Sequence, residues 1–73
     1  MSSYYKEMGI FRRELTKRIA EEVERTGFAD PHSLWIEFGT RFGVATKKKV
    51  FGWVEDFAEA RGLLNKEGVW VVK

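Results

Sequence analysis

The chain predicts a mostly α domain, three helices followed by a C-terminal β-hairpin, and three observations carry that prediction. Apolar residues recur four apart through the first two dozen positions, the signature of an amphipathic helix. Caps and glycines then cut the middle of the chain into helix-sized pieces. After Gly62 the helical period gives way to two short β-prone runs flanking Lys66-Glu67-Gly68.

In the first helix Phe11, Leu15, Ile19 and Val23 form the stripe, with charged residues between them. Met8 extends the stripe backward, so the helix opens near Ser3 and tolerates Gly9 at a cost of about 1 kcal/mol relative to Ala. Thr26-Gly27 ends it, with Gly27 suited to the left-handed position after a last turn. The second helix opens at Asp30-Pro31: Asp accepts from free amides, and Pro occupies a first position whose N–H has no intrahelical partner. Leu34, Trp35, Phe38 and Phe42 give its apolar face, and Gly43 is the expected stop. After a three-residue turn, Thr46 caps a third helix running to about Arg61, with Val50, Trp53, Val54, Phe57 and Ala58 inward. In the hairpin, Val69 and Val71 share one face, Trp70 and Val72 the other. An isolated hairpin is marginal in water, so this one must pack on the helices.

Seventy-three residues make one domain (1–73, with 1–9 a candidate N-terminal extension), and 44% hydrophobic content supplies its core. Cysteine is absent, which excludes a disulfide framework or a thiolate metal site. No apolar run reaches the roughly 20 residues of a membrane span, and the first residues lack the pattern of a signal peptide. A cytoplasmic location and no membrane partner are the corresponding expectations.

The net charge is only +2, but its distribution is uneven. Arg41, Lys47, Lys48 and Lys49 are followed by Glu55, Asp56 and Glu59. Three lysines in the first turn of a helix oppose the macrodipole, so a polyanion would reward them. The run Phe42-Gly43-Val44-Ala45-Thr46-Lys47-Lys48-Lys49-Val50, the glycine after Val54–Arg61 and the hairpin beyond it resemble the winged helix-turn-helix family from about Phe11 to Lys73. Ala45, where common members carry a polar residue, and a turn one residue longer depart from its pattern. The resemblance implies a short first strand between the first two helices, for which Phe28-Ala29 is the only room, a third helix in the major groove of double-stranded DNA, and a wing on the backbone or minor groove. It also implies a transcriptional regulator, and dimerisation through added terminal segments.

With Val50 taken as inward, Lys48, Gly52, Glu55 and Glu59 fall on the opposite face, Lys49 and Phe51 on the flanks, and Lys47 nearer the core edge. Lys48 is therefore the expected groove residue, with Lys47 and Lys49 on phosphates or base edges. Gly52 either admits close approach of DNA or fits a crowded helix crossing. Phe51 either touches a thymine methyl or packs on the second helix. Thr46 caps the helix and could add a phosphate contact; Arg41 and Lys66 are candidate phosphate contacts on the second helix and the wing. Arg12 and Arg13 are candidates on the first helix, whereas Glu14–Arg18 and Glu21–Arg25 pair at i,i+4. Tyr4-Tyr5 would pack on Trp70 within one copy or across a homodimer. His32, the single histidine, reads as an exposed turn residue. The sequence offers no nucleophile–base pair, phosphate loop or metal cluster, so no enzymatic activity, cofactor or small-molecule ligand is expected. Two alternatives to a regulator stand: a non-specific architectural DNA binder, and a protein-interaction module in a larger assembly.

Overall fold

A computed structural model describes residues 2–73, with side chains described from Tyr5 onward. The order is α1 (Ser2–Thr26), β1 (Phe28–Ala29), α2 (Pro31–Gly39), α3 (Lys47–Ala60), β2 (Leu64–Lys66) and β3 (Val69–Val71). This is a winged helix-turn-helix topology: three helices, then an antiparallel hairpin whose second strand also pairs with β1. The strand order is β1-β3-β2.

The core is the meeting of the predicted stripes. Phe11, Leu15 and Ile19 of α1 are buried against Leu34 and Phe38 of α2 and against Val50 and Val54 of α3. Aromatic rings dominate its centre. Phe11 lies edge-on to Phe38 with centroids 6.0 Å apart, and tilted against Phe42 at 5.8 Å and Trp53 at 5.0 Å. Burial of large rings stabilises a chain too short for a bulky core.

Caps define the ends much as the sequence predicts. Asp30 accepts from the His32 N–H at 3.0 Å, and Pro31 opens α2. Thr46 accepts from the Lys49 N–H at 3.2 Å. Gly27 and Gly62 take the left-handed conformation, with φ of 85° and 72°.

Helix α2 is shorter than expected, ending at Gly39 instead of Gly43. The Thr40 hydroxyl donates to the Glu37 carbonyl at 3.0 Å, and the Arg41 and Phe42 amides both donate to Phe38. That last turn keeps Phe38 and Phe42 stacked at 5.6 Å, so the i,i+4 apolar signal outlives the regular helix. The connection to α3 is consequently residues 40–46, longer than a three-residue turn, and Val44 buries itself within it. The Gly43 N–H donates to the carboxylate of Glu7, tying this connection to α1.

The hairpin turn is tighter than the predicted three-residue tip. Glu67 and Gly68 both take positive φ, 55° and 88°, which suits a two-residue turn between right-twisted strands. The Asn65 side chain accepts from the Gly68 N–H at 3.2 Å and braces it. Cross-strand register places Ala29, Trp70 and Asn65 in one row, Phe28, Val71 and Leu64 in the next. Ala29 is buried and Trp70 packs on the core, so the first row faces the helices. Lys66 pairs with Val69 and belongs to the other face.

Two contacts differ from the sequence expectation. Arg18 pairs with Glu22 and, at 3.4 Å, with Glu37 of α2, not with Glu14; Arg25 pairs with Glu22 at 2.8 Å, not with Glu21. The cross-helix partner draws Arg18 toward α2. Packing of Tyr5 on Trp70 within one copy is also excluded. The 25-residue α1 is about 37 Å long at 1.5 Å per residue, and the sheet pairs with the chain leaving its far end. The side chain of Tyr4 lies outside the described residues.

Hydrogen bonds from Arg18, and then from Arg25, hold the Glu22 carboxyl below its ordinary range. A depressed carboxyl contributes stability above its unfolded value, about 4.3, and loses it as pH falls through the folded value. Glu22→Gln is therefore expected to flatten the acid limb of stability below about pH 4.3, measured as denaturation midpoint against pH.

Candidate nucleic-acid interface

The first turn of α3 carries Lys47, Lys48 and Lys49 and no acid. Thr46 satisfies one of the free amides there, but the positive end of the dipole still faces three cations. The structure separates their roles. Lys47 sits over the rings of Trp35 at 5.8 Å and Phe51 at 5.5 Å, so it links α3 to α2 by cation–π contact. Lys49 is half-buried. Lys48 is exposed on the outward face, where the helical wheel puts it.

Gly52 lies one turn along that face. A Cβ added there would meet nothing within 4 Å, which removes the crowded-crossing explanation. Its only local effect is to weaken the helix. Gly52→Ala is accordingly expected to raise stability by about 0.5–1 kcal/mol. The same methyl group would weaken DNA binding if the backbone approaches a groove. Thermal melting and duplex titration of one sample check both signs.

Phe51 is half-buried and lines a hollow between α3 and the hairpin. This hollow, about 520 Å3, brings Lys48, Gly52 and Glu55 of α3 together with Asn65, Gly68 and Trp70 of the wing. The sequence alone places Glu55 on the outward face of α3 and offers Trp70 only as a packing partner for Tyr4-Tyr5, so it does not join the two. Strand register was the missing signal, because it alone turns Trp70 and Asn65 toward α3.

The remaining candidates are dispersed. The Arg12 guanidinium lies over the Trp53 ring at 5.0 Å, on the α1 flank of α3 and near Asp56. Arg13 is exposed beside Gly9, Thr16 and Lys17, in a shallow groove along α1 that also includes Arg12. Arg41 lies over Phe38 and Phe42 at 5.3 and 5.2 Å in the connection before α3. Lys66 is exposed at the end of β2, on the sheet face turned away from the helices. Thus Lys48, Phe51 and Gly52 share one surface, Lys47, Arg12 and Arg41 are engaged with aromatic rings, and Arg12, Arg13, Arg41 and Lys66 lie outside that hollow. Among the described residues no three His, Cys, Asp or Glu side chains gather as a metal site, and no helix is long and apolar enough to cross a membrane.

The architecture is compatible with DNA binding by winged-helix domains in general. Comparison of the chain with protein-family models, with curated proteins and with solved structures gives no match.

Proposed function

We propose that this chain binds double-stranded DNA, with the N-terminal half of α3 in the major groove and the wing beside it, as a transcriptional regulator. The observation that carries the reading is Lys48: an exposed cation at the disfavoured end of a helix dipole, one turn before an open glycine on the same face. B-form DNA supplies what this arrangement lacks, since its major groove admits a helix and offers guanine O6 and N7 to lysine. Arg41 and Arg12 flank the same helix as phosphate contacts, and Thr46 and Lys49 join its first turn. Phosphate neutralisation makes affinity fall with salt, so a plot of log affinity against log salt should have a slope near −0.9 per contact. A flat plot with a 20-base-pair duplex, or no binding at low salt, would reject the reading.

One domain offers few contacts, so we extend the proposal to a homodimer joined through the first turns of α1, where Tyr5 is 70% exposed. Sedimentation of the chain with and without residues 1–6 tests this; a monomer in both cases rejects it.

A second reading draws on the outer face of the sheet. Phe28 and Leu64 there are 41% and 45% exposed and adjoin Val71, an apolar row that would suit a protein partner. This interaction-module reading requires negligible DNA binding near physiological salt. An architectural DNA binder would instead show the salt slope with little preference among sequences.

A further inference from the structure

The hollow between α3 and the wing has a shape the groove reading does not use. A helix that reads a groove is convex, whereas this surface is concave, about 520 Å3, and can receive something that protrudes. Its walls include the aromatic residues Phe51 and Trp70, and Gly52 leaves open space on the α3 side between Lys48 and Glu55. Its polar groups are of two kinds. Lys48 is a donor, and Asn65 offers its side-chain N–H groups because its carbonyl already accepts from Gly68. Glu55 is an acceptor.

That set disfavours a phosphate, because a backbone laid through the hollow would meet the Glu55 carboxylate. It suits a planar heterocycle with an amino group and a ring or carbonyl acceptor. The amino group donates to Glu55, the acceptor receives from Lys48 or Asn65, and the π-face meets the aromatic walls. Thymine lacks the exocyclic amino group.

We propose that the cleft between α3 and the wing takes an unpaired nucleobase bearing an exocyclic amino group, at an end or break in the duplex held by α3. The proposal rests on the DNA-binding reading and gives the protein a preference for a DNA structure as well as a sequence.

The test uses the full chain and four duplexes of one sequence, read by fluorescence anisotropy at one salt concentration. One is blunt; the others carry three unpaired cytosines, adenines or thymines at the same 3′ end. The cytosine and adenine overhangs bind about tenfold or more tighter than the thymine overhang and the blunt duplex, the scale of one stacked, hydrogen-bonded base. Glu55→Ala abolishes that preference while blunt-duplex affinity holds or rises, because a carboxylate that repels phosphates has gone. Equal binding of all four duplexes, a thymine overhang as tight as cytosine, or a preference that survives in Glu55→Ala overturns the inference with DNA binding intact. Failure to bind any of the four overturns the DNA-binding reading itself, and this inference with it.

Discussion

Lys48→Glu is expected to stabilise the fold and cripple DNA binding at once. The residue occupies the second position of α3 and is exposed, so no packing is lost on replacement. Acids are favoured in the first turn of a helix and cations disfavoured, each by roughly 0.3–1 kcal/mol. Reversal of the charge should therefore raise the melting temperature by a few degrees. At the DNA surface the same change deletes a donor and places an anion against the polyanion. Loss of a good base contact costs about 1–3 kcal/mol, and repulsion adds to it, so affinity should fall about a hundredfold or more. The two signs together separate this account from a structural one. A lysine retained for stability would lose both quantities together.

The triple substitution of Lys47, Lys48 and Lys49 by Ala should also abolish binding with unchanged helical circular dichroism. It is the less clean variant, because Lys47 also holds Trp35 and Phe51 by cation–π contact. Part of its effect will be on the packing of α2 against α3.

Phe11→Ala is expected to unfold the domain near physiological temperature. The ring is fully buried and contacts Phe38, Phe42 and Trp53, so it joins all three helices at one point. Truncation of a buried Phe to Ala costs about 3–5 kcal/mol. At about 0.05–0.15 kcal/mol per residue, a chain of this length has only about 4–11 kcal/mol in total. Each kcal/mol is worth about 4–8 °C, so the melting temperature should drop by about 12 °C or more. Phe51→Ala is the control: its ring is half-exposed, and the loss should be well below that of Phe11. Equal losses at both sites would mean that the core is not centred on Phe11.

Much of the fold was legible because its signals are local. The four-residue spacing of Phe11, Leu15 and Ile19, the Asp30-Pro31 opening and the Thr46 cap each depend on a few neighbouring residues. The end of α2 was misplaced for an equally local reason. Phe42 still stacks on Phe38 after the regular helix has stopped, so the apolar period overruns the backbone hydrogen bonds. The bond from Gly43 to Glu7 joins residues 36 apart and leaves no mark on either segment.

The site divides along the same line. The outward positions of Lys48 and Gly52 follow from the helical wheel alone, and the structure places them there. The ring contacts of Lys47 and Arg12 could not be read this way, since each depends on which side chain a different helix presents. The hollow was equally hidden: it exists only because Ala29, Trp70 and Asn65 align in one row and turn toward α3.

Selection from a randomised duplex pool at one defined salt concentration near physiological tests the central claim most directly. The account predicts that the protein enriches a discrete sequence motif, and that Lys48→Glu, though at least as stable, enriches none. Retention of no duplex by the unmodified chain, or an identical motif enriched by Lys48→Glu, would contradict it.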